Sequence, residues 1–234
     1  MKSSYLRRVC TLVAVLVAPG CGGPTEEDVQ GMAVAIEALR PHMERIAALH
    51  TALPAQSSAR ELPLTTTIPQ ESLETVDLAH LEAVLGLPAR ADSAPRQLLI
   101  GEAFQGQHVR YLEPDPEPSF GSIRNVESRV NALAKVKHVA VFLPTLVDKG
   151  EVKDAINDKG SYIIERAAHW KGWVFTYAFE DPPRLVAAFP MEARSRDQMT
   201  LMVTQGYRPN ADALIDDAVF ALKRETVARL TEAR

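Results

Sequence analysis

Trp173-Val174-Phe175-Thr176-Tyr177-Ala178-Phe179-Glu180 decides the fold. Aromatic residues recur at every second position, the period of an extended strand whose successive side chains point to opposite faces. Trp173, Phe175, Tyr177 and Phe179 therefore share one face of a sheet, and so apolar a face needs cover. On either side lie Tyr162 to Trp170 and Arg184 to Glu192, separated from the central run by Lys171-Gly172 and Asp181-Pro182-Pro183. Three consecutive strands joined by short turns predict an antiparallel meander.

Upstream, His138-Val139-Ala140-Val141-Phe142-Leu143 has the composition of a buried strand, with Pro144 as its expected end. Ser122 to Val136 places Ile123, Val126, Val130, Leu133 and Ala134 at helical spacing. Asp148 to Gly160 is charged and glycine-bounded, with one helical turn expected at Val152 to Ile156. Downstream, Met199 to Thr204 suits a strand or a loop at the sheet edge. Asn210 is a good N-cap for a final helix carrying Leu214, Ile215, Val219, Leu222 and Leu230 on its apolar face. Asp212 falls in its first turn, and Lys223, Arg224 and Arg229 fall toward its other end, as the helix dipole favours. These elements predict an α+β domain over residues 98–234, an antiparallel β-meander packed against flanking helices on one face, preceded by an N-terminal helical segment.

That segment spans residues 21–53. Thr25 and Asp28 have the spacing of a capping box, with Glu26 and Glu27 where the dipole favours anions. Val29, Met32, Ile36, Leu39, Met43 and Ile46 then recur at three and four, with His50 next and Leu53 closing the run, as in the seam of a two-helix packing. Packing on its own domain is the plainer use of this seam; docking of an envelope protein partner along Val29 to Leu53 is the other. Pro41 predicts a kink or a junction of two helices. Residues 54–97 read as a linker with a short helix at Glu71 to Leu85, stopped by Gly86. Leu98 to Ile100 and His108 to Leu112 are short pieces of undecided type, and the alternating prolines of Glu113 to Pro118 exclude a helix or central strand.

The first residues carry an address. Lys2, Arg7 and Arg8 precede an apolar run from Val9 to Ala18, followed by Pro19-Gly20-Cys21-Gly22. A basic start, a short apolar core and small residues before a cleavage point make a secretory signal over residues 1–20. A retained transmembrane helix would need about 20 apolar residues, twice what this run supplies. Removing the three cations takes the formal charge from −4 to −7, so no basic stripe for nucleic acid is expected.

Catalytic motifs are missing. The chain has no Gly-x-Ser-x-Gly elbow, no phosphate-cradling glycine loop and no His-Glu-x-x-His pair. The six histidines are scattered, so neither a metal nor a cofactor is predicted, and the stiff carboxylate stretch around Asp115 does not suit calcium. Three arrangements merit testing. Exposed, Trp173, Phe175, Tyr177 and Phe179, with Trp170 across the Lys171-Gly172 turn, would form a ligand-binding face that stacks sugars; covered, they would be core, and helices need such a surface to cover. Arg194, Arg196 and Lys171 could hold an anion. Glu165 and Glu180 could serve as the acid and base of an exported hydrolase if they flank one cleft.

The Ala18-Pro19-Gly20-Cys21 sequence resembles a bacterial lipobox, with Ala18 where that family usually has Leu or Val. The resemblance implies diacylglycerol and an acyl chain such as palmitate on Cys21, and Gly22 after the cysteine implies sorting to the outer membrane, facing the periplasm. The succession from the residue 122 helix through Val139-Ala140-Val141-Phe142, Gly172-Trp173-Val174-Phe175-Thr176-Tyr177 and Leu185-Val186-Ala187-Ala188-Phe189-Pro190 to the final helix is similar to uncharacterised lipoproteins of Gram-negative, including myxobacterial, envelopes. It implies a lipid-anchored, non-enzymatic binding or structural module, the hydrolase being the alternative. With Cys10 removed and Cys21 acylated, no disulfide is expected.

Overall fold

A four-stranded sheet of order β1-β2-β5-β6 forms the centre of the protein, in a computed structural model that describes residues 24–92, 120–156, 162–197 and 212–232. β2 (His138–Asp148), β5 (His169–Ala178) and β6 (Arg184–Arg194) are antiparallel neighbours, whereas β1 (Leu73–Asp77) runs parallel to β2, with Leu73 opposite His138 and Asp77 opposite Phe142. The sheet is thus mixed, an antiparallel meander with one parallel edge strand. A parallel neighbour requires a crossover, and the chain between β1 and β2 includes α2 (Leu78–Leu85) and α3 (Phe120–Lys135).

Helices cover both faces, not one. α1 (Glu26–Ala52), α2 and α3 pack on Val139, Val141, Leu143, Phe175 and Tyr177; α4 (Asp212–Thr231) packs on Ala140, Phe142, Trp170, Val174, Ala187 and Phe189. Alternate residues of each strand enter opposite cores, which is why β2 reads as a continuous apolar run rather than an alternating one.

Four expectations of local structure are corrected. Residues 71–85 are not one helix: a short 3-10 turn at Gln70–Ser72 leads into β1, because Leu73 to Asp77 finds a parallel partner in β2 and buries Val76 completely. β2 does not stop at Pro144. The ladder shifts register there, Thr145 donates its hydroxyl to the Lys171 carbonyl oxygen, and the strand continues to Asp148. Val152 to Ile156 belongs to a strand, β3 (Glu151–Ile156), which pairs with β4 (Tyr162–Arg166) in a separate two-stranded ribbon. Lastly, Lys171-Gly172 is not a turn. Gly172 lies inside β5 opposite Pro144, and a Cβ there would strike the Leu143 carbonyl oxygen and lie 2.8 Å from the Trp170 indole. A strand glycine of this kind marks close approach of two backbones.

α1 begins as its sequence requires. The Thr25 backbone N–H donates to the Asp28 carboxylate at 2.8 Å, and the Asp28 N–H donates back to the Thr25 hydroxyl oxygen at 3.2 Å. The helix is assigned as one span through Pro41, which faces solvent. Met32, Ile36, Leu39, Ile46, Leu49 and Leu53 are buried in the protein's own core, so Leu49 rather than His50 fills the seam, while Val29 near the start of the helix stays exposed. Cys21 and the signal residues, the short pieces at 98–112, the proline run 113–118, Met199 to Thr204 and Asn210 lie outside the described residues. Among the described residues no helix is long and apolar enough to cross a membrane.

Candidate functional site

The aromatic row is interior. Phe175, Tyr177 and Phe179 are buried beneath the helices and Trp173 is half-buried against the same core, while Trp170 is wholly buried on the opposite face, edge-on to Phe142 at 6.2 Å. The expectation of one exposed binding face comprising Trp170, Trp173, Phe175, Tyr177 and Phe179 is therefore corrected. Trp170 and Trp173 occupy one continuous strand three positions apart, which sends them to opposite sides of the sheet.

The other candidates do not assemble either. Glu165 pairs with Lys153 at 3.2 Å and Glu180 with Arg184 at 2.9 Å, beyond opposite ends of β5. A ten-residue strand spans about 30 Å, so the two carboxylates do not border one cleft as an acid and base. Arg196 is engaged by Asp217 through three hydrogen bonds of 2.7 to 3.0 Å, and Arg194 faces Glu192 at 3.4 Å, so two of the three cations of the supposed anion patch already face carboxylates; Lys171 is exposed. Among the described residues no group of three His, Cys, Asp or Glu side chains is placed to hold a metal ion. His42 stacks on Phe179 with ring centroids 6.4 Å apart, and burial, with Arg45 nearby, holds its pKa below the usual histidine range. Burial, with help from Arg184, does the same to His138.

A partly buried polar node is built around Arg90. Its guanidinium forks onto Asp92 with two bonds of 2.8 Å and also donates to the carbonyl oxygens of Leu53 and Pro54, which end α1. The Arg90 backbone N–H donates to Glu82, 3 % exposed, whose carboxylate lies 3.8 Å from His50 Nε2. Bonding to Arg90 holds the Asp92 carboxyl at about 2, and the Gln56 N–H adds to this. The Arg90 donors described here face protein acceptors, whereas His50 Nε2 is buried without a hydrogen-bond partner. The node fastens the connector after α2 to the end of α1, and it leaves its cation no freedom to greet a ligand.

One cation is placed differently. Between the sheet edge at β6, the last turn of α4 and the strap of residues 61–67 lies a cleft of about 560 Å³, within the size range of ligand sites. The strap is pinned at both ends. Leu62 exchanges two backbone hydrogen bonds with Ala188, at 2.8 and 2.9 Å, and the Ile68 N–H donates to the Leu230 carbonyl oxygen at 2.9 Å. Between the pins, Pro63, Leu64 and the three threonines 65–67 line the cleft, and the threonine side chains are exposed. Across from them Arg229 lays its guanidinium 4.0 Å over the Phe189 ring. Among the described residues no carboxylate lies within ion-pair distance of it. A guanidinium held flat on an aromatic face keeps its edge donors for something else. Glu61 and Glu232 complete the rim.

Neither wall of this cleft was readable as a site. The threonines have linker composition, and Arg229 looks like an ordinary cation at a helix C-terminus. Only the two backbone pins, which have no side-chain signature, bring them together. Beyond Ala188 the outward edge of β6 presents Pro190, which has no N–H to offer a further strand. In comparison with known proteins, the chain matches no family model, no curated protein and no solved structure. The functional reading accordingly rests on its own residues.

Proposed function

We propose that this chain is an exported envelope lipoprotein, held to the membrane by acyl chains on Cys21, whose folded domain is a non-enzymatic binding module. The observation that carries the anchor is the order Lys2, Arg7, Arg8, the apolar run Val9 to Ala18, and Gly20-Cys21. Small residues before one cysteine give a signal peptidase its bond and a lipid transferase its sulfur. One acyl chain alone gives marginal attachment, and a diacylglycerol with an amide-linked chain is enough for stable residence. Gly22 after the cysteine supports an outer-membrane position facing the periplasm. The binding half of the proposal is supported by the Arg229 cleft, the one surface described above whose cation is held in place and left without a counter-ion.

Metabolic labelling with a clickable fatty acid tests the anchor. Wild-type protein should carry label and sediment with membranes, and Cys21→Ser should lose both properties. A labelled mutant, or unlabelled wild type, overturns the assignment.

A further inference from the structure

We infer that the Arg229 cleft takes a short zwitterionic peptide, its carboxylate on Arg229 and its ammonium toward Glu61 and Glu232. The inference rests on the reading of this cleft as the binding site and adds the class of ligand.

Charge placement selects that class. Arg229 is a single fixed guanidinium, stacked on Phe189, with its coplanar donors matched to the two oxygens of a carboxylate. The other charged residues lining the cleft are acidic. Glu61 and Glu232 line the same cleft, and the last turn of α4 adds the partial negative charge of a helix C-terminus. A polyanion such as a phosphorylated sugar would satisfy Arg229 but be repelled by Glu61 and Glu232, whereas a simple cation would be repelled by Arg229. A molecule with one charge of each sign, separated by a few bonds, satisfies both. The walls agree with a peptide body between those charges. The hydroxyls of Thr65, Thr66 and Thr67 can each donate to a carbonyl and accept from an amide N–H, and Leu64, packed on the core of the α4 face, offers an apolar flank for a side chain. Because the strap is pinned at Leu62 and Ile68, these groups are largely in place before a ligand arrives, which lowers the ordering cost of binding.

The probe is alanyl-leucine, titrated into the full mature chain in detergent and followed by saturation-transfer difference NMR, beside its N-acetylated and C-amidated forms and inorganic phosphate. Free dipeptide should bind saturably, and blocking either end should weaken it by about tenfold or more. Arg229→Gln should bind the free and amidated forms equally. The double variant Glu61→Gln with Glu232→Gln should bind the free and acetylated forms equally; both glutamates are exposed, so this variant keeps the test decisive if loss of the Arg229 stack disturbs the fold. No saturable response, equal binding of all three forms to wild type, or displacement of the dipeptide by phosphate overturns the inference. A chain that is acylated at Cys21 and ignores the dipeptide overturns the ligand and leaves the anchor standing. An unacylated chain that distinguishes the three forms does the reverse.

Discussion

The phenol of Tyr177 donates a hydrogen bond to the carbonyl oxygen of Ala52, 3.0 Å away, joining residues 125 apart in sequence. It fastens the C-terminal end of α1, one of whose last carbonyls lacks a helical partner, to the central strand β5. The hydroxyl sits in the core near Arg90, and burial pushes its pKa up to about 12.

Tyr177→Phe removes this bond while keeping the ring, and should lower unfolding stability by about 1 kcal/mol, measured by urea titration. In the wild type the folded pKa lies above the unfolded value of 10.0, so this phenol's contribution is complete below pH 10 and is lost as pH rises through about 12. Spectrophotometric titration should show one tyrosine ionising late, and Tyr177→Phe should abolish that step.

The Arg90 to Asp92 fork acts at the other end of the pH scale. Asp92 is held near 2, below the ordinary value of 3.8, so its stabilisation is complete above the ordinary value and is lost as pH falls through about 2. Asp92→Asn should cost about 1 kcal/mol at neutral pH, discounted for the partial exposure of the carboxylate. The acid limb of its stability curve should also be flatter than that of the wild type. A variant with an unchanged acid limb would deny Asp92 this role.

Two glycines should respond to alanine for opposite reasons. At Gly172 the backbone is compatible with any residue but the space is filled, by the Leu143 carbonyl and the Trp170 indole, so Gly172→Ala should cost about 3 kcal/mol or prevent folding. Gly86 has open space but a φ of +64°, so Gly86→Ala should cost only about 1 kcal/mol. Thermal melts of the two variants should rank them in that order.

The two tryptophans report separately on the sheet. Trp170 is wholly buried beneath α4 while Trp173 keeps some contact with solvent. Trp173→Phe should therefore leave a blue-shifted emission that acrylamide quenches poorly, and Trp170→Phe should leave the more accessible signal. Equal quenching of both variants would contradict the interior placement of the row.

What could be read in advance follows from how local each determinant is. The cap Thr25 with Asp28, the alternation through Phe175 and Tyr177, and the stripe Leu214, Ile215, Val219 and Leu222 each declare themselves within one or two turns or a few strand residues. β1 does not. Leu73, Thr75 and Val76 suit a helix or a strand equally, and pairing with β2, far along the chain, decides the matter. Gly172 misleads for the same reason, since Lys-Gly has the composition of a turn and only the approach of Pro144 reveals its use. The Arg229 cleft lies at the far end of this scale. Its cation and its hydroxyls are ordinary residues in ordinary places until the pins at Leu62 and Ile68 bring them opposite each other.

Under the proposed anchor, the Thr25 cap would fix how far the domain can stray from the lipid. Only Gly22, Gly23 and Pro24 separate it from Cys21, a reach of about 15 Å even when fully extended. With Cys21 acylated, a rigid α1 of about 40 Å starts almost at the headgroups, and its acidic first turn of Glu26, Glu27 and Asp28 is the part nearest them. Held in that way, the domain would sample the layer of solution next to the bilayer, and whatever its cleft bound would have to come to that surface to be met.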